Sequence, residues 1–192
     1  MKPPLVFAVS HDWPGWCQRG RDTDDALAQF RLYAPRYGAV VGVDLTEEDI
    51  EIVGTITGNS TTGYGAPRAR GPWDETSARD DVRRAHVDIV SQCWLYLDDT
   101  IATSPEKFAK GPRGGGRDRD QIEDHVREAE CAYASKLGVR IPPRTPWDQQ
   151  REVITERLMN ECNHEKWPAD YAIRIIAWHV LDHAWEIEDK SI

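Results

Sequence analysis

No stretch of the 192 residues approaches the ~18 consecutive apolar side chains that a membrane-spanning helix requires. The longest early apolar run, Leu5 to Val9, is too short for the core of a signal peptide and leads straight into His11 and Asp12. The expected location is therefore the cytoplasm, with no membrane partner. Cysteine is sparse: Cys17, Cys93, Cys131 and Cys162 lie far apart with no Cys-x-x-Cys pair. That spacing excludes a zinc ribbon and a disulfide framework, and most of the four are read as small buried hydrophobes. Positive charge is in deficit too, with 24 Lys and Arg against 33 Asp and Glu, a net charge of -9. Such a surface repels polyanions, so no nucleic-acid partner is expected.

What the chain does contain is a core. Hydrophobic residues make up 40% and charged residues 30%, with eight tryptophans, which describes a globular protein of one ordinary domain or one domain with a small appendage. The first part reads as β-rich. Residues 4–9 form a strand, Asp12-Trp13-Pro14-Gly15 a turn and Trp16 to Arg19 a returning strand. Thr23 caps a helix with Asp24 and Asp25 in its first turn, and apolar residues at helical spacing continue to Pro35. Val, Ile and Thr then predict two more strands, over 38–43 and 50–57, on either side of an acidic turn at Glu47-Glu48-Asp49. Residues 1–58 thus read as a small ββαββ layer.

Between 59 and 73 the periodicity disappears into Gly, Thr, Pro and Arg, as in a linker. Residues 74–192 then show four helical stripes. The first, over 75–102, carries Val82, His86, Ile89, Val90, Cys93, Leu97 and Ile101. The second, over 118–137, carries Ile122, His125, Val126, Ala129, Ala132 and Tyr133 and stops at Gly138. The third starts near Pro146 with Val153, Ile154, Leu158 and Cys162 facing inward, and the fourth runs from Pro168 to about Asp189. The expected fold class is α+β, a small sheet layer with one helix followed by a four-helix bundle.

Chemistry concentrates in the last helix. His179 and His183 are four residues apart, one turn above each other, and so can share a metal ion. Both fall on the buried stripe with Ala172, Ile176 and Ile187, where an imidazole needs a partner. Six histidines in a chain of this length produce such a pair by chance often enough that the pair alone is weak. His125, on the stripe of a different helix, strengthens it, because antiparallel packing brings a third imidazole to the same point. Three imidazoles leave coordination positions open for water or substrate, as catalytic centres do. Val180 stands where a His-Glu-x-x-His protease would carry its general base, which argues against peptide hydrolysis.

Glu186 follows three residues after His183 and is a fourth ligand, an outer hydrogen-bond acceptor or a catalytic acid/base; the plainer alternative is a solvated charge near a helix end. His86 is a candidate pocket residue, with a core histidine bonded to a backbone carbonyl as its plainer reading. Lys110 to Arg119 places Arg113, Arg117 and Arg119 in a glycine-rich loop before a helix N-terminus, suited to a carboxylate or other small anion. It lacks the Gly-Lys-Ser/Thr ending of a nucleotide-binding loop. Trp178 and Trp185 fall beside the histidine stripe.

The segments Asp118 to Val126 and His179-Val180-Leu181-Asp182-His183, with the four-helix order, resemble the DinB/YfiT-like family over about residues 74–192. That resemblance implies a metal held by His125, His179 and His183, typically zinc or nickel and in some relatives iron. It also implies chemistry on low-molecular-weight thiols, by S-transfer or isomerisation of a small electrophilic substrate. Trp13-Pro14-Gly15-Trp16-Cys17 and the following Gly20 to Leu27 are similar to a HicB-type ββαβ module, read here as a structural or homodimerising addition. Two other functions compete: a hydrolase that activates water at the metal, and a non-catalytic metal- or ligand-binding module.

Overall fold

A computed structural model describes residues 5–46, 50–75, 78–109, 116–160 and 166–191. The fold is α+β: among the described residues, six α-helices accompany one two-stranded antiparallel sheet. β1 (Val6–Val9) pairs with β2 (Cys17–Gly20) in the register Val6 to Gly20 and Val9 to Cys17. The turn between them is fixed by Ser10, whose Oγ accepts from the Trp13 backbone and whose N–H donates to the Trp16 carbonyl. Gly15 closes this turn with φ +97 and lies against the last helix; a Cβ there would come within 3.1 Å of the side chains of Ala177 and Leu181. Gly15→Ala therefore has both backbone strain and a crowded contact, and should cost about 1–3 kcal/mol in urea unfolding.

α1 (Thr23–Leu32) is capped one residue earlier than the sequence suggests, by the carboxylate of Asp22 accepting from the Asp25 N–H at 2.9 Å. It ends at Tyr33, as Pro35 requires, and the chain immediately enters a second helix, α2 (Ala34–Val41). The expected strand over 38–43 is not formed. Proline is harmless in a first helical turn, where its missing N–H has no partner to lose. Ala34, Tyr37, Gly38 and Val41 then recur at helical spacing and are buried, so packing overrides the β-propensity of the valines. The strand expected over 50–57 is also not formed: the segment is irregular, with Ile52 60% and Val53 71% exposed. The expected ββαββ layer is thus a ββαα unit, and the acidic turn at 47–49 lies outside the described residues.

Residues 59–73, read as a linker, hold two 3-10 turns, Thr62–Tyr64 and part of Pro72–Asp74, and Pro67 and Gly71 within them are buried. Four longer helices follow: α3 (Asp80–Thr103), α4 (Arg119–Lys136), α5 (Trp147–Met159) and α6 (Ala169–Lys190). They coincide with the four hydrophobic stripes to within a few residues, α3 starting later because Pro72–Asp74 is a separate turn. Asp118 and Gln121 form a capping box at the start of α4, and Gly138, with φ +81, follows its end. Cys162 and His164 lie outside the described residues.

α6 is the centre of the molecule. Sixteen of its 22 residues are buried, and a helix apolar nearly all round must be covered on every side. It packs against α3, α4 and α5, and the hairpin turn rests on it through Gly15. One apolar core runs continuously from Trp16, Phe30 and Tyr37 through Leu97, Ile122 and Ile154 to Leu181 and Ile187. Trp16 stacks on Phe30 at 4.1 Å between ring centres, and its indole donates to the Phe30 carbonyl, tying the hairpin to α1. No described helix is long and apolar enough to cross a membrane.

Candidate metal centre

α4 and α6 run antiparallel: Tyr133 meets His179 near one end of their contact, and Lys190 reaches the Arg117 carbonyl at the other. This direction brings His125 of α4 to His179 and His183 of α6. The ring centres lie 4.6 to 5.2 Å apart, and one nitrogen from each ring lies within 4.8 Å of the others. His179 is 6% and His183 7% exposed, while His125 is half-buried and closes the group toward solvent.

The three rings are held differently. Oε2 of Glu186 accepts from Nδ1 of His183 at 2.8 Å, and its other oxygen accepts from Lys190 Nζ at 2.5 Å. The hydrogen bond from His183, reinforced by Lys190 against partial burial, holds the Glu186 carboxyl down at about 2. Glu186 is thus anionic at neutral pH and can only accept, so Nδ1 of His183 carries the proton of their hydrogen bond. That is the outer-shell arrangement of metal-binding histidines. Nδ1 of His179, by contrast, is buried with no hydrogen-bond partner. Burial, then the neighbouring His183 and His125, hold its pKa well below the usual histidine value. Burial, followed by Arg117 and His183, lowers His125 as well. Neutral imidazoles with an unsatisfied buried nitrogen are the donor set a divalent cation requires.

The other sequence candidates are placed as follows. Arg117 is exposed beside the group, and its charge acts on both His125 and His179. Arg119 turns away, to Asp120 and to the Ser104 carbonyl at the end of α3, and Arg113 lies outside the described residues. His86 is apart from the three histidines; it is partly buried near Asp12 of the hairpin turn, and burial lowers its pKa. Cys17 and Cys93 are buried and free, and burial pushes both thiols up, so they are packing residues and not nucleophiles.

Two neighbours escaped the sequence. The Tyr133 ring stands edge-on to His179 at 5.5 Å, and its hydroxyl accepts from Arg68 Nη2 at 2.9 Å. Tyr133 could have been found, since it lies eight residues beyond His125 on the same face. Arg68 could not, because no local pattern links a loop to a helix 65 residues later. Beside the centre, a cleft of about 440 Å³ opens between the hairpin and α6, with Trp178, Asp182, Trp185 and Glu186 along its helical wall. The two tryptophans thus occupy the stripe next to the histidines.

If the three histidines hold a cation, removal of the Glu186 carboxylate should weaken its binding while leaving the three imidazoles in place. Glu186→Ala is expected to lower affinity about 10–100-fold in a chelator competition, with Glu186→Gln less severe because the amide oxygen still accepts. Comparisons with family models, with curated proteins and with solved structures return no match to this chain.

Proposed function

We propose that His125, His179 and His183 bind one divalent cation, zinc or nickel first and iron as an alternative, and that the chain is a metal-dependent thiol transferase or isomerase. In this reading α3 to α6 form a four-helix bundle of the DinB-like type, with the hairpin and α1–α2 as its addition. The observation that carries it is the convergence of three imidazoles from two helices, with Nδ1 of His179 buried and unpaired. A metal held by these three imidazoles would supply a lowered thiol pKa, and so a thiolate nucleophile for a small electrophile at neutral pH.

The chain's own residues supply the setting. Glu186 orients His183 and raises its basicity as a ligand; with its carboxyl held near 2 it positions, and does not deliver protons at neutral pH. Tyr133 and Arg68 wall one side of His179. Arg117 gives the open side a positive charge suited to an acidic group on thiol or electrophile.

The test is elemental analysis of untagged protein purified without added metal, beside a His125→Ala, His179→Ala double variant, followed by turnover screens with and without thiol. Near-stoichiometric metal in the native chain alone, with thiol-dependent turnover, is the expected result. Protein that neither carries metal nor binds it on titration overturns the reading. Thiol-independent hydrolysis would transfer the site to the hydrolases, and bound metal without turnover would make it a binding module.

A further inference from the structure

The cleft between the hairpin and α6 has a composition that the metal centre does not explain. Its charged lining is mostly committed: Glu186 to His183 and Lys190, and Asp189 to Arg36. Two groups are not. The guanidinium of Arg19, on β2, and the carboxylate of Asp182, on α6, both line the cleft; each feels the other's charge across it, but neither makes a hydrogen bond or a close ion pair among the described residues. Arg19 lies over Gly65, where even a Cβ would approach Nη1 to 3.5 Å, so the missing side chain leaves the guanidinium room. Between these charges stand aromatic walls: Trp178 and Trp185 from α6, Tyr33 from the end of α1, and Phe7 from β1. The volume of about 440 Å³ is that of a small-molecule site.

One cation, one anion and an aromatic lining in a single cleft describe a particular guest. We propose that this cleft binds a small zwitterionic molecule of amino-acid type: Asp182 takes its ammonium, Arg19 its carboxylate, and the tryptophans its apolar or aromatic body. A simple anion would leave Asp182 facing it, and a simple cation would face Arg19; only a ligand carrying both charges satisfies both. Asp182 lies between His179 and His183 in sequence, and Glu186 both lines the cleft and holds His183, so the guest lies beside the histidine centre. In assigning this molecule as a substrate or thiol co-substrate, the proposal rests on the metal reading; in assigning the binding site, it does not.

The experiment is calorimetric titration of the full-length protein with L-phenylalanine, N-acetyl-L-phenylalanine and L-phenylalanine amide, run on native protein and on the His125→Ala, His179→Ala variant. L-phenylalanine should bind both proteins. Loss of either charge from the ligand should weaken binding about ten-fold or more, the effect of losing one charge-assisted hydrogen bond. Arg19→Ala should erase the preference for the free carboxylate, and Asp182→Asn the preference for the free ammonium, with circular dichroism and thermal midpoint unchanged as the folding control. No binding to either protein, or equal affinity for all three ligands, overturns the proposal. Binding that survives in a chain that holds no metal would leave this site standing while the metal reading falls.

Discussion

Addition of zinc or nickel to the metal-free protein at pH 7.5 is expected to raise its unfolding free energy by about 3–4 kcal/mol when free metal stands at 100 to 1,000 times its dissociation constant. The gain should vanish in the His125→Ala, His179→Ala variant, because one remaining imidazole cannot hold the ion. Acid should oppose it in two ways. Ligands must be neutral to bind, so protons compete with metal. The metal-free fold is itself expected to be acid-sensitive, because burial lowers His11, His86, His125 and His179 below their ordinary values. The unfolded chain therefore takes up protons near pH 6.5 that the folded one refuses, and stability present above that pH is lost as pH falls through the depressed folded values. Each group contributes at most about 1.4 kcal/mol per pH unit in that window. Urea midpoints of metal-free protein that stay flat from pH 7.5 to 5.5 would contradict the burial of these rings, and a metal-independent midpoint at pH 7.5 would remove the centre.

The convergence of the three histidines is legible in the sequence, and the reason is periodicity. Most of α6 is buried, and His179 and His183 fall on its apolar stripe with Ala172, Ile176 and Ile187, where an imidazole needs a partner. His125 sits on the only apolar stripe of a helix otherwise rich in charge, which fixes it inward on α4. Helix ends are equally plain where Pro146, Pro168 and Gly138 punctuate the chain. Residues 38–43 and 50–57 went the other way because β-propensity describes a residue's fit to a sheet, and neither segment pairs with the β1–β2 hairpin. Val41 instead completes the buried face of α2, while Ile52 and Val53 remain exposed. Charge pairing over long sequence distance leaves no local trace. Arg174, Asp74 and Arg68 look like ordinary charged residues, and only the folded chain shows them as the supports of α6 and Tyr133.

Replacing Asp74 by alanine is expected to cost about 3–5 kcal/mol, a large share of the roughly 5–15 kcal/mol that holds a domain together. The two oxygens of Asp74 accept from Nε and Nη2 of Arg174, each at 2.9 Å, in a bidentate pair with side chains 2% and 6% exposed. Arg174 also donates to the carbonyls of Pro67 and Ala69, and Oδ2 of Asp74 accepts from the Gly71 N–H, so one buried pair fastens the whole 67–74 segment to α6. Truncating the acid strands a guanidinium in the core, which explains the size of the effect. Removing both charges together, in Asp74→Ala with Arg174→Met, should recover a substantial part, since an apolar replacement has no desolvation cost. The consequence extends to function. Arg68, inside the fastened segment, holds the Tyr133 hydroxyl, and Tyr133 borders His179, five residues along α6 from Arg174. The double variant should therefore fold yet bind metal more weakly than the native protein, in a chelator competition at pH 7.5. Full recovery of stability with native metal affinity would show that the histidine centre is indifferent to this segment, and that Tyr133 is positioned by α4 alone.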